Sequence, residues 1–215
     1  MTSPKRSMNT LQKKFYLTIR WSGAQGAAKA LTRVFALLCT ALFFFHGISA
    51  SLFLLGFLPY SPRYKSTGWI LAGLIIFHAL IVAAEAARNL YLRRTGVLKG
   101  RLYVRQNISF FGQRLSGALL LVFILLHIGA YGYTDASGFH LRHFGIFSLV
   151  NQTALAALAG IHLMSSARPL VISLGIDSAK GPGRVIVAGL QALIAFSMLI
   201  SFWAALSYYL KFSGG

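Results

Sequence analysis

Four histidines carry the chemistry of this 215-residue chain: His46, His78, His127 and His162 fall one in each of its first four apolar stretches. A neutral imidazole is a nitrogen donor and the commonest metal ligand. In the interior of a bilayer it is costly and rare, so a histidine there marks a functional position. Two b-type haems explain four of them together, because each low-spin iron takes two axial nitrogens and two helices hold one planar macrocycle between them. Scattered packing histidines, each satisfied by a neighbour, are the bland alternative.

Depth sorts the four into pairs. His46 follows Arg33 by 13 residues and His127 follows Arg114 by 13, which at 1.5 Å per residue sets both about 20 Å from those arginines. His78 precedes Arg88 by 10 residues and His162 precedes Arg168 by 6, or about 15 and 9 Å. The first and third helices are therefore expected to grip one haem with His46 and His127. The second and fourth grip the other, nearer the basic side, with His78 and His162. Each ligating imidazole should donate its second nitrogen to a main-chain carbonyl or a hydroxyl.

The elements that must hold these residues are membrane spans. The chain is 56% hydrophobic and 11% charged, with a mean hydropathy of +0.66, the composition of a polytopic membrane protein. Five stretches, about 34–58, 66–87, 115–134, 144–167 and 185–210, approach or exceed the 20 or so apolar residues that crossing requires. Lipid leaves backbone groups no partner outside the segment, so these are read as helices in an all-α bundle enclosing two b-type haems. A basic N-terminal segment, 1–33, precedes them. Its Lys13, Lys14, Phe15, Tyr16, Arg20 and Trp21 are placed to lie on a lipid surface or to dock on a partner.

Charge sets the orientation. The formal charge is +18, with 21 Lys and Arg against Glu85, Asp135 and Asp177. Seventeen of those cations fall before the first span, between the second and third, or between the fourth and fifth, and four, Arg63, Lys65, Arg142 and Lys211, fall on the other side. That asymmetry puts the N-terminus in the cytoplasm and the C-terminus outside, and it argues against nucleic-acid binding. Cys39 is the single cysteine, which excludes a disulfide framework and a covalent CxxCH haem. His140 and His143 lie in the expected outer loop 135–143, solvated or placed beside a quinone or a propionate. Glu85, seven residues after His78, pairs with Arg88 one turn on or handles protons.

The segment Gln113-Arg114-Leu115-Ser116-Gly117, followed by nine residues and then His127, resembles the Gln-x-x-Ser/Thr-Gly…His pattern of the cytochrome b subunit of succinate dehydrogenases and fumarate reductases, in its single-chain, five-helix, two-haem type. Arg105-Gln106-Asn107 upstream and the one-histidine-per-helix layout extend the resemblance from about Ala30 to Leu210. It implies that His46 and His127 ligate the haem distal to the cytoplasm and His78 and His162 the proximal one. It also implies flavoprotein and iron–sulfur subunits on the cytoplasmic side, with electrons passing to or from a quinone, menaquinone in the first instance, in a bacterial inner membrane. Succinate chemistry then belongs to the flavoprotein, and this chain binds no dicarboxylate.

Gln113, Arg114 and Ser116 are candidate haem-contacting residues. Donors for propionates or quinone carbonyls stand at both boundaries, with Arg105 and Asn107 beside Gln113 and Arg114 on one side, and Arg63, Tyr64, Lys65, Trp69 and Arg142 on the other. Some fumarate-reducing members carry a carboxylate two residues before the fourth histidine; Gly160 stands there instead, so no proton path is assigned. The alternatives are a haem-b subunit of a formate dehydrogenase or hydrogenase, and a haem-free membrane transporter. Four spans and different histidine positions weigh against the former.

Overall fold

Runs of Leu, Ile, Val, Phe and Ala with no strand-like alternation fold as helices wherever lipid must be crossed. The computed structural model describes residues 10–95, 108–130, 132–136, 138–177 and 181–213. Its order is α1 (Thr10–Leu54), α2 (Pro62–Arg94), α3 (Ile108–Ala130), β1 (Gly132–Asp135), β2 (Gly138–Leu141), α4 (Ile146–Ser173) and α5 (Gly181–Ser213). All five helices are long and apolar enough to cross a membrane. The chain is a multi-pass, all-α membrane protein.

Local chemistry sets the helix ends. After Leu54, Gly56 takes φ +82°, and the Phe57 N–H donates to the Leu52 carbonyl at 2.9 Å while Gly56 N–H donates to Phe53 at 3.0 Å. That is a Schellman stop, which satisfies carbonyls the helix would otherwise orphan. At the start of α2, Ser61 is extended and its side chain accepts from the Arg63 N–H. Pro62 follows at the first helical position, where its missing N–H costs nothing.

Three features depart from the expected boundaries. The first helix reaches back to Thr10 as 45 continuous residues, about 67 Å by rise against a hydrocarbon core of about 30 Å. Part of the N-terminal segment expected to stand alone is thus the continuation of α1. The side chains of Lys13, Lys14, Phe15, Tyr16, Arg20 and Trp21, and all of residues 1–9, lie outside the described residues, as do Arg105, Gln106 and Asn107. Thr134, expected at the end of the third span, lies in β1 instead. The loop after it is a two-stranded antiparallel hairpin pairing Tyr133 with His140 and Asp135 with Gly138. The fourth helix continues through Pro169 to Ser173, beyond the expected end at 167. Proline removes one ladder bond without ending a helix that is packed on both sides.

Packing orders the helices α2–α1–α5–α4–α3 around an open ring, with α1 touching α4 across it and α2 and α3 barely meeting at the seam. The α1/α2 and α3/α4 hairpins therefore face each other, and α5 closes the back. It packs on α4, and both helices bury small residues, Ala156, Ala159, Gly160 and Ala167 on α4 and Ser197, Ala204 and Ala205 on α5. Between lipid-solvated helices such close approach is what dispersion rewards. Gly160 belongs to this seam, since a Cβ there would stand 3.1 Å from Met198 Cγ and 3.2 Å from its Sδ. Any side chain at that position, a carboxylate included, requires the Met198 side chain to shift. Ser51 on α1 hydrogen-bonds Ser201 on α5 at 3.2 Å, and Phe144 stacks edge-on against Tyr208 at 4.7 Å.

Candidate functional site

The histidines meet in twos inside the ring. His46 on α1 and His127 on α3 face each other with ring centroids 6.3 Å apart and planes at 84°. His78 on α2 and His162 on α4 lie within electrostatic reach of one another. Both stand 16 residues from the hairpin-side start of their helix, Pro62 and Ile146. Among the described residues no three His, Cys, Asp or Glu side chains converge. The donor set is thus paired imidazoles and has no resemblance to a closed tetrahedral zinc site.

One ring of each pair is braced by the other helix of its own hairpin, α3 or α4. Around His127, the Nδ1–H donates to the Gln152 side-chain oxygen of α4 at 3.1 Å. Around His162, the Nδ1–H donates to the Gln113 main-chain carbonyl of α3 at 2.9 Å. Both acceptors fix the proton on Nδ1, so Nε2 carries the lone pair, the arrangement a metal-ligating histidine needs. The acceptor expected for every ring was a carbonyl or a hydroxyl. His127 departs from that, because the amide of Gln152 reaches further from α4 than a serine would.

Two glycines bring the rings close to the neighbouring helix. A Cβ at Gly68 of α2 would lie 2.9 Å from His46 Cε1, and one at Gly117 of α3 would lie 3.0 Å from His162 Cε1 and 3.1 Å from its Nδ1. No other residue type leaves room for the imidazoles where they stand. The Ser116-Gly117 step thus admits a histidine ring. Ser116 is buried, with its hydroxyl donating to the Gly112 and Gln113 carbonyls and 3.5 Å from His162 Nδ1. Gln113 is tied by its side chain to Ser166 of α4 at 2.8 Å. Arg114 is exposed on the surface of α3.

These contacts supply an internal ruler. Gly68 marks the level of His46 on α2, Gly117 marks that of His162 on α3, and Gln152 marks that of His127 on α4. From each marker to the histidine of its own helix (68 to 78, 117 to 127, 152 to 162) is ten residues, about 15 Å of rise. Three helices thus give one spacing between the two levels. Counting from the arginines gives a smaller separation, because those arginines do not lie in one plane.

The centroid separation of the ring pair matches that of a bis-imidazole iron. An imidazole nitrogen bonds a first-row metal at about 2.0 Å and lies about 1.1 Å from its ring centre, so two rings on opposite faces of one iron have centroids about 6.2 Å apart. His46 and His127 stand at 6.3 Å. The Nδ1 atom of His78 is buried with no hydrogen-bond partner among the described residues, whereas the His46 ring also interacts with the Tyr64 main chain. An unsatisfied group of that kind costs about 1–3 kcal/mol, which coordination or a bound polar group relieves.

Other residues singled out in the sequence resolve as follows. His140 Nε2 lies 3.1 Å from Asp135 Oδ1 across the hairpin, both well exposed, a solvated pair worth about 0–1 kcal/mol. His143 is also exposed. Glu85 lines a cavity of about 360 Å³ with Lys29, Thr32, Arg33 and Ser173, so it faces α1 and the end of α4. There Arg33 Nη1 donates to the Ser173 carbonyl at 2.9 Å, a basic cap on a helix C-terminus.

At the opposite end a cavity of about 390 Å³ is lined by Phe53, Gly56, Leu141, Ser207, Tyr208 and Lys211, among others. Phe53 is seven residues, two turns, beyond His46. None of the outer donors marked in the sequence lines it. Ser207, Tyr208 and Lys211 do, residues that read in the sequence as part of an ordinary interfacial belt. No family model matches the chain, and no curated protein or solved structure is significantly similar to it.

Proposed function

We propose that the chain is the membrane-anchor cytochrome b subunit of a succinate:quinone oxidoreductase, carrying electrons between an iron–sulfur partner subunit and a membrane quinone. The observation that carries this reading is the facing of His46 and His127 at a separation that two axial ligands of one iron require. The second pair, ten residues away along three helices, makes a second position of the same kind.

Haem b, when bound, supplies one-electron transfer. The protein does the rest. His46 and His127 would hold one group and His78 and His162 the other, with Gln152 and the Gln113 carbonyl fixing the ring tautomers. The apolar helix faces keep water from the path between levels. With the basic end facing the bacterial cytoplasm, as the charge asymmetry favours, the His78–His162 level lies nearer the flavoprotein and iron–sulfur partners. The His46–His127 level lies in the outer half. The cavity beside Phe53 offers Ser207, Tyr208 and Lys211 as donors to a quinone headgroup such as that of menaquinone.

Copurification tests this reading. The tagged full chain, isolated from its own membranes in mild detergent, should bring flavin and iron–sulfur subunits and support succinate-dependent quinone reduction. Molybdenum or nickel subunits in their place would assign the chain to a formate dehydrogenase or hydrogenase. A preparation with no redox partner would overturn the proposal.

A further inference from the structure

The two histidines that carry a braced Nδ1 are braced differently. His162 is held by a main-chain carbonyl, that of Gln113. His127 is held by a side chain, the amide oxygen of Gln152 on the neighbouring helix. We infer that Gln152 is a positioning residue that fixes the tautomer and orientation of His127 and sets the electron affinity of the His46–His127 level separately from that of the other. The inference rests on the haem reading above and adds to it the residue that tunes one level.

The physical argument runs through the ring. A hydrogen bond accepted from Nδ1–H withdraws that proton slightly and makes Nε2 a stronger donor. A stronger donor favours the oxidised, more positive iron, so the bond lowers the reduction potential of that level. Gln152 reaches its place because α3 and α4 pack side by side and Gln152 lies one and a half turns into α4, beside the hairpin end where His127 closes α3. Asn151 next to it is buried, so this turn of α4 is polar within an otherwise apolar span. A polar pair in a bilayer interior stands where a partner for it exists. The Gln113 carbonyl cannot be removed by any side-chain substitution, whereas the oxygen of Gln152 can. Of the two braced rings, only that of His127 is open to tuning by mutation of its acceptor.

The test is redox titration of membranes carrying the full-length chain, comparing the unsubstituted protein with Gln152→Leu and Gln152→Glu. Loss of an outer partner of a ligating histidine changes affinity by about 10-fold or more. A 10-fold change in the preference for oxidised over reduced iron is about 59 mV for a one-electron couple. Gln152→Leu should raise one midpoint by about that amount and leave the other in place. The couple that moves should be the one missing from His46→Ala membranes. Gln152→Glu, which keeps an acceptor, should return the midpoint to or below its original value.

If Gln152→Leu lowers haem content, recovery by Gln152→Glu and none by Gln152→Ala supports the assignment, and equal loss in all three overturns it. Two haems with both midpoints unmoved in Gln152→Leu overturn it as well, while leaving the haem reading standing. Absence of haem from the unsubstituted chain refutes the haem reading itself, and this inference with it.

Discussion

Adding one methyl group to Gly117 should separate a ring-accommodating glycine from an ordinary helical one. In an open helix position Gly→Ala stabilises by about 0.8–1 kcal/mol. At Gly117 the new Cβ would stand 3.0 Å from His162 Cε1 and 3.1 Å from Nδ1. Ordinary carbon contacts begin near 3.5 Å, so the ring must retreat by about 0.5 Å. That retreat stretches the 2.9 Å bond from Nδ1 to the Gln113 carbonyl and moves Nε2 off its line. Overpacking of this size costs about 1–3 kcal/mol, which outweighs the propensity gain.

Gly112, five residues earlier and about 140° round the same helix, meets nothing within 4 Å. Gly68 and Gly73 on α2 form the same contrast against His46. The assay is haem per chain from reduced-minus-oxidised spectra, with thermal unfolding in detergent alongside. Gly117→Ala and Gly68→Ala should each lose most of one haem. Gly112→Ala and Gly73→Ala should keep both and unfold no earlier than the unsubstituted chain. If the two members of either pair behave alike, the close approach does not position the ring.

Other expectations follow from the same geometry. His46→Ala and His127→Ala should each remove the same haem, halving the content per chain, and depletion of different haems would break the pairing. Gly160→Glu should fail to accumulate as folded protein, since its side chain must displace Met198 from the α4–α5 seam; normal yield in membranes would refute that packing. Arg33→Gln removes the donor to the Ser173 carbonyl and should lower stability by about 0.3–1 kcal/mol, read as a small fall in detergent melting temperature. His140→Gln should leave haem content and stability unchanged within about 0.5 kcal/mol, because its partner Asp135 is exposed.

The helices and the paired imidazoles were legible because both signals are one-dimensional. Twenty apolar residues identify a span whatever packs on it, and His46, His78, His127 and His162 announce themselves as rare residues in lipid. Gly68 and Gln152 were not legible. Glycine and a lone glutamine occur on many membrane helices, and their roles depend on which helix lies opposite and at what rotation. The hairpin at 132–141 was missed because strands of four residues, Gly-Tyr-Thr-Asp and Gly-Phe-His-Leu, are too short to establish a period of two. Depth counted from arginines gave the pairs but compressed their separation, since long basic side chains reach the interface from different heights.

Haem stoichiometry and ligation of the purified full-length chain test the central claim most directly, by pyridine haemochrome assay and low-temperature electron paramagnetic resonance on one sample. Two haems b per chain, both low-spin with two imidazole ligands and with one lost on replacing His46 or His127, are the expected result. A colourless protein, one haem per chain, or a high-spin iron with an open axial position would contradict it.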